Sequence, residues 1–121
     1  MARMSRALLI AAKVVALAGI ALLSVFALDV FGSGEPLPTV VVALLMHLLP
    51  SFALLAVLAM AWRWPLAGGL LFLLAGAAVF LFLRNPFGVN LMLAGPLLLA
   101  GSLFIGGALS AKAGPHRRAT R

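Results

Sequence analysis

Long runs of mainly apolar residues, separated by short polar or helix-breaking segments, cover most of the chain. The four runs extend over residues 7–31, 39–62, 66–83 and 89–109. A helix needs roughly 20 consecutive, mainly apolar residues to cross the hydrocarbon core of a bilayer. The pattern therefore predicts four transmembrane helices at these positions.

Glycine and proline mark the three connections between the predicted helices. The connections are residues 32–38 (GSGEPLP), 62–65 (WRWP) and 84–88 (RNPFG). Consecutive helices joined by such short turns must pack as antiparallel neighbours. The sequence therefore predicts an all-α fold in which residues 1–121 form a single membrane domain, an up-down-up-down bundle of four transmembrane helices.

The composition supports a polytopic membrane protein and argues against an enzyme. Hydrophobic residues make up 65% of the chain and charged residues 9%, whereas soluble domains have roughly 45–50% apolar and 25% charged residues. The absence of cysteine excludes disulfides, thiolate catalysis and Cys-based metal sites. The sequence also has no Walker loop, HExxH motif, serine nucleophile elbow or metal-spaced histidine cluster. We therefore expect no catalytic residues, no metal and no other cofactor.

The distribution of basic residues predicts the orientation in the membrane. They flank the apolar runs instead of clustering on a solvated surface, so a nucleic-acid partner is not expected. The end that holds both termini and the second connection carries Arg3, Arg6, Lys13, Arg63, Lys112, Arg117, Arg118 and Arg121. Only Arg84 lies at the opposite end. Because Lys and Arg near short loops stay in the cytoplasm, both termini are predicted to be cytoplasmic, in a multi-pass protein of the cell (plasma or inner) membrane.

Several residues are predicted to lie at the inner membrane interface. Trp62, Arg63 and Trp64 are expected to anchor the second connection at the level of the headgroups. Lys13 lies about 9 Å inside the start of the first helix, and its stem can carry the ammonium back to the headgroups. The basic tail, residues 110–121, is expected to lie on anionic headgroups, which makes membrane lipid a predicted partner.

His47 is the most informative candidate for chemistry. It lies about 12 Å into the second predicted helix, close to the middle of a hydrocarbon core about 30 Å thick. An ionisable residue at that depth usually faces the bundle interior or a water-filled path. One interpretation is a proton relay or ligand contact. The other is a neutral imidazole that donates one hydrogen bond to a carbonyl or hydroxyl of a neighbouring helix.

Pro50 and Ser51 complete the candidate polar site of the second helix. Thr39, Ala43, His47 and Ser51 recur every four residues, so they share a face suited to close helix packing. Pro50 has no N–H for the carbonyl of Met46, which predicts a bend beside His47. Such a carbonyl either coordinates an ion or substrate or is satisfied by groups of neighbouring helices.

Asp29 is predicted to lie at the outer end of the first helix, about 9 Å in depth from His47. The topology places further polar residues at the same outer face, namely Glu35, Arg84, Asn85 and Asn90. Arg84 or an asparagine amide is therefore a more natural partner for Asp29 than His47. Asp29 is interpreted as a structural clamp or rim charge, with an ion- or substrate-entry site as the alternative.

The third and fourth helices contain several small residues, which allow their backbones to approach other helices closely. The candidates for helix packing are Gly68, Gly69, Gly76, Gly95, Ser102 and Gly106. They serve either the interior of the four-helix bundle or the seam of a homodimer, and the sequence leaves both alternatives open.

Four motifs in order along the chain carry a resemblance to a known family. They are FALDVF at residues 26–31, ALLMHLLP at residues 43–50, AWRW followed by a glycine pair within residues 61–69, and GPL at residues 95–97. With these motifs the chain resembles uncharacterised prokaryotic membrane proteins described as a domain of unknown function. The resemblance implies an integral membrane protein of four helices and supplies no mechanism.

The expected function is that of a non-catalytic structural, oligomeric or accessory component of the membrane. The stripes of small residues and the missing catalytic motifs favour this prediction. The expected protein partner is a second copy of the chain or a larger membrane complex. The alternative is a minimal, dimeric transporter or channel with a path near His47 and Pro50, entered past Asp29 and Glu35.

Overall fold

The computed structural model describes residues 2–113, which form four α-helices and one short 3₁₀ helix. The α-helices are α1 (Ala2–Phe26), α2 (Leu37–Arg63), α3 (Pro65–Phe82) and α4 (Phe87–Ala113), and the 3₁₀ helix is Ala27–Gly32. The fold is all-α over this part of the chain. Of the predicted basic tail, residues 110–113 belong to α4, and residues 114–121 lie outside the described residues.

All four helices are long and apolar enough to span a membrane. The most apolar windows of 18 residues have mean hydropathies of 1.9 to 2.5 in the four segments. Proline starts or flanks the later helices: Pro36 and Pro38 lie at the beginning of α2, and Pro65 is the first residue of α3. Proline suits these positions because the first N–H groups of a helix have no intrahelical acceptor.

The first helix differs from its prediction at its carboxyl end. The apolar run predicted a helix to residue 31, but α1 ends at Phe26 and the chain tightens into the 3₁₀ helix. The carbonyl of Val30 accepts hydrogen bonds from the Ser33 N–H at 3.3 Å and the Ser33 hydroxyl at 2.8 Å. Gly34, with φ of +71°, then reverses the chain. Asp29 therefore belongs to this tighter turn and not to the α-helical face of α1.

Helix α4 packs closely against α1. A Cβ atom built on Gly19 would lie 2.9 Å from the Cβ of Pro96, and one built on Gly107 would lie 2.7 Å from the side chain of Leu9. A side chain at Gly19 would collide with the rigid proline ring, whereas one at Gly107 would require the Leu9 side chain to move. Leu9, near the start of α1, contacts Gly107, near the end of α4, whereas Gly19, later in α1, contacts Pro96, earlier in α4. The two helices are therefore antiparallel.

Helix α4 packs equally closely against α3 on its other side. A Cβ atom on Gly69 would lie 2.9 Å from the carbonyl oxygen of Gly101, and one on Gly101 would lie 2.7 Å from the carbonyl oxygen of Gly69. One turn further along each helix, the rings of Phe72 and Phe104 stack with centroids 5.8 Å apart and planes inclined by 13°. Both rings are fully buried. This pair fills the centre of the bundle, where it gains contact area and aromatic stacking.

Helix α2 is packed unevenly along its length. From Ser51 to its end, α2 buries Ser51, Leu54, Leu58 and Ala61. Between its start and Pro50, it buries only Val40. Close contact of Ala61 with Gly68 fixes the carboxyl end of α2 against the start of α3. The half of α2 before Pro50 is therefore held by few contacts within the chain.

The crossing of Gly69 and Gly101 generates a prediction about stability. We expect Gly101→Ala to lower the free energy of unfolding by about 1–3 kcal/mol, because the added methyl collides with a backbone oxygen that moves only if α3 moves. Gly95→Ala on the same helix is the matched control, since nothing lies within 4 Å of a Cβ at Gly95. Unfolding in mixed micelles, followed by far-ultraviolet circular dichroism, measures both variants. Equal stability of the two variants would contradict the close crossing.

Candidate functional site

A cleft of about 480 Å³ opens where α1 ends, beside the first half of α2 and the turn between α3 and α4. We call it the His47 cleft. It is lined by Leu23, Phe26, Asp29, Met46, His47, Pro50, Leu83, Asn85, Val89 and Leu93. Its volume lies within the range of about 300–1,000 Å³ found for small-molecule sites. Three polar side chains among apolar ones are also typical of such sites.

The cleft exists because the first half of α2 stands away from the rest of the bundle. Pro50 lies at the boundary between the loosely and the tightly packed halves of α2, and it lines the cleft. Since residue 50 has no N–H, the carbonyl of Met46 lacks its regular intrahelical donor. Met46 also lines the cleft. The proline thus separates the two halves of α2 and adds an acceptor beside the site.

His47 is exposed and hydrogen-bonded within its own helix. Its Nδ1 lies 2.8 Å from the carbonyl oxygen of Ala43, one turn earlier in α2. A carbonyl oxygen only accepts, so Nδ1 is the donor, and in the neutral ring Nε2 is left as an acceptor. The expected hydrogen bond to a neighbouring helix is therefore replaced by one to the preceding turn. The second ring nitrogen stays available to a ligand in the cleft.

Asp29 and His47 line the same cleft, and the separation in depth of about 9 Å between them stays a prediction. Two contacts define the register of α1 against α2: the Ser24 hydroxyl is 3.1 Å from the Ser51 hydroxyl, and the Lys13 ammonium is 5.1 Å from the centroid of the Trp62 ring. Both contacts lie within the α-helical part of α1, which ends at Phe26, before Asp29. The carboxylate and the imidazole line one cleft.

A pair of serines and the apolar core lie at the end of the cleft that faces the middle of the bundle. Ser24 follows the cleft residue Leu23, and Ser51 follows the cleft residue Pro50. Besides its contact with Ser51, the Ser24 hydroxyl lies 2.9 Å from the carbonyl oxygen of Ile20. One turn below, Leu54 is buried in the apolar core. Buried groups therefore separate this end of the cleft from the opposite end of the bundle.

The predicted outer-face polar residues separate in the structure. Asn85 lines the cleft together with Asp29, whereas Glu35 and Arg84 are exposed and do not line it. Asn90 is buried, with 5% of its surface exposed, and its amide donates to the carbonyl oxygen of Leu83 at 3.2 Å. Asn90 thus holds the turn between α3 and α4 from inside. It does not share the exposed position of the other three residues.

The predicted packing residues also divide into two groups. Gly68, Gly69 and Gly76 make close contacts inside the bundle. On α4, Gly95 has open space around it, and a Cβ at Gly106 would lie 3.9 Å from Leu8. Ser102 is exposed and donates to the carbonyl oxygen of Leu98 at 2.8 Å. Gly69 and Gly76 bring α3 close to α4, and three glycines that the sequence did not predict contribute further close contacts of α4: Gly19, Gly101 and Gly107.

The predicted interfacial residues lie together at the opposite end from the His47 cleft. Trp62, Arg63 and Trp64 are all exposed. Lys13, which was expected to extend towards the headgroups, places its ammonium over the Trp62 ring. A cation over an aromatic ring is attracted by the ring's negative face. This contact links α1 and α2 at that end.

Comparison with known proteins assigns the chain to a family. The model of the family described as "Domain of unknown function (DUF7670)" matches residues 1–116, which include all four helices and the His47 cleft. No curated protein and no solved structure matches the chain significantly. The family match confirms the resemblance to a domain of unknown function. The chain therefore belongs to the DUF7670 family.

Proposed function

We propose that this protein is a small multi-pass integral membrane protein that acts without catalysis, as an accessory component that binds a small amphiphile. The ligand carries a cationic head that donates hydrogen bonds. One observation carries the proposal: a single cleft brings Asp29, His47 and Asn85 together among apolar side chains.

The polar groups of the cleft favour a ligand that donates hydrogen bonds. The Asp29 carboxylate only accepts, and neutral His47 offers Nε2 as an acceptor because its Nδ1 is bonded to the Ala43 carbonyl. No lysine or arginine of residues 2–113 lines the cleft. An ammonium or amidinium head has donors for these acceptors and a charge opposite to that of Asp29. The apolar lining suits the remainder of an amphiphile.

The absence of catalysis is part of the proposal. In the described part of the chain, the cleft lining contains no serine, threonine, cysteine or lysine that could act as a nucleophile beside His47. The nearest hydroxyls, of Ser24 and Ser51, are bonded to each other and to a backbone carbonyl. This arrangement supports binding over covalent chemistry.

We further propose an up-down-up-down topology with both termini in the cytoplasm of a cell whose plasma or inner membrane holds the protein. The antiparallel contacts of α1 with α4 and of α3 with α4 support the topology. The excess of Lys and Arg at the end opposite the His47 cleft supports the orientation. In this orientation the cleft opens on the outer side.

We also propose that the protein works next to a second copy or within a larger membrane complex. Gly95 and Ser102 are small residues of α4, and neither makes a close contact with another helix among residues 2–113. Such surfaces allow another helix to approach closely in lipid.

Labelling of single-cysteine variants tests the orientation and the hydration of the cleft, because the chain has no cysteine. In intact cells, a membrane-impermeant maleimide is expected to modify Ser33→Cys and Val89→Cys. Ala111→Cys is expected to react only after permeabilisation. Leu58→Cys is the buried control, with 3% of the Leu58 surface exposed, and reacts only after denaturation. Labelling of Ala111→Cys from outside would contradict the orientation, and an unreactive Val89→Cys would contradict a hydrated cleft.

Binding of a hydrophobic cation tests the ligand class. We expect ethidium to bind the full-length protein in nanodiscs and Asp29→Asn to weaken binding about tenfold, because a hydrogen bond to a charged group contributes about 1.5–3 kcal/mol. Glu35→Gln is the matched control, since it removes the other acidic charge at the same end but outside the cleft. Fluorescence titration gives both dissociation constants. Equal effects of the two substitutions would contradict the role of the cleft.

A transporter is the second candidate function, and the hinge-like position of Pro50 favours it. The buried Ser51 and Leu54 lie between the cleft and the opposite end of the bundle, so transport requires the first half of α2 to move relative to the second half. Pro50 lies between the loosely packed and the tightly packed segments. Helix-breaking residues at a midplane site are typical of transporters that alternate between two conformations.

A comparison of two proline variants separates transport from binding. In proteoliposomes, we expect Pro50→Ala to keep ethidium binding but to reduce ethidium flux about tenfold, because residue 50 then donates to Met46 and stiffens the hinge. Pro96→Ala, in the interior of α4, is the matched control. Absence of flux in the unmodified protein, or equal loss in both variants, would exclude the transporter and leave the binding component.

A further inference from the structure

A second groove lies at the end of the bundle opposite the His47 cleft. It has a volume of about 480 Å³ and is formed by α1, the connection between α2 and α3, and the last turns of α4. We call it the Arg63 groove. It is lined by Leu9, Arg63, Trp64, Pro65, Leu66, Ala67, Ala108, Ala111 and Lys112. The groove is thus apolar along its walls, with two cationic side chains and one indole.

The two cations of the groove are not neutralised by acidic side chains of the chain. Arg63 is the last residue of α2, and Lys112 lies in the last turn of α4. The chain has two acidic residues, Asp29 and Glu35, and both precede the start of α2. The length of α2, about 40 Å, separates that end from Arg63. The groove therefore presents uncompensated positive charge beside an apolar surface.

We propose that the Arg63 groove binds one anionic phospholipid. Its phosphate lies between the guanidinium of Arg63 and the ammonium of Lys112, and an acyl chain follows the apolar wall that includes Leu66. Arginine and lysine both bind phosphate oxygens through charge-assisted hydrogen bonds. Trp64, which is 61% exposed, lies where indole rings favour the headgroup level of a bilayer.

The apolar walls favour a phospholipid over a soluble anion. Six of the lining residues are aliphatic or proline, and a free phosphate ion has no apolar group that contacts them. An acyl chain covers them. The site also differs from attraction to a basic tail, because a groove selects one lipid by shape and charge, whereas a tail attracts anionic headgroups in general.

Quenching by brominated lipids tests the proposal on the full-length chain. In Trp62→Phe the groove residue Trp64 is the sole tryptophan, since the chain has two. The protein is reconstituted with equal fractions of dibrominated phosphatidylglycerol or dibrominated phosphatidylcholine. Each cationic side chain near a membrane surface is worth roughly fivefold in affinity for an anionic lipid. We expect the anionic lipid to be preferred at least about fivefold at this tryptophan.

Matched charge variants distinguish the groove from the general surface charge. Arg63→Gln with Lys112→Gln, in the same Trp62→Phe background, is expected to reduce the preference to below about twofold. Arg3→Gln with Arg6→Gln removes the same charge at the same end, and neither residue lines the groove. This control is expected to keep the preference. Equal losses in the two double variants would overturn the proposal.

Two further measurements complete the test. Inorganic phosphate added at millimolar concentration is expected not to displace the lipid, and displacement would overturn the assignment to a phospholipid. Should Trp62→Phe fail to fold, native mass spectrometry of the unmodified protein counts bound lipids directly. One retained phosphatidylglycerol, lost in the Arg63→Gln, Lys112→Gln variant, is expected. No retained lipid, or retention unchanged in that variant, would overturn the proposal.

Discussion

The close approach of α4 to both α1 and α3 is the constraint on which the rest of the structure depends. Lipid tails are as apolar as leucine side chains, so helices in a bilayer associate mainly through van der Waals packing and hydrogen bonds. Gly107 allows α1 to approach, and the reciprocal contact of Gly69 with Gly101 allows α3 to approach. Helix α4 is therefore the central helix of the bundle, and its Phe104 ring stacks on the Phe72 ring of α3.

The His47 cleft and the Arg63 groove lie where the helices around α4 leave space between them. Helix α2 is held by its second half, through Ser51, Leu58 and Ala61, and by the contact of Trp62 with Lys13. Among the described residues, its first half buries only Val40, and the space beside it is the His47 cleft. At the other end, the chain turns from α2 into α3 within one residue. The splayed helix ends around this turn form the Arg63 groove.

The elements of the fold could be predicted from the sequence, but their relative rotation and register could not. Apolar runs and Gly- or Pro-rich turns predicted four helices within a few residues, because hydropathy reports length directly. A helix that is apolar on all sides carries no signal for which face is buried, so Gly101 was missed and the exposed Ser102 was considered for packing. The register of α1 against α2 depends on side-chain contacts such as that of Ser24 with Ser51. The apolar residues that line the cleft could not be predicted either, because in the sequence they do not differ from residues that face lipid.

The division of α2 at Pro50 also bears on how many different ligands one cleft accommodates. The segment from Leu37 to Pro50 is a lever about 20 Å long. A rotation of about 10° at its lower end moves its upper end by roughly 3.5 Å, close to the thickness of an aromatic ring. Few contacts within the chain oppose this rotation, because Val40 is the one buried residue of the segment among those the structure describes. The mouth of the cleft therefore widens with little loss of packing. His47 lies three residues before Pro50, near the pivot, so the same rotation moves it by only about 0.8 Å. For the proposed binding function, the cleft would therefore accept apolar bodies of different width more readily than different polar heads.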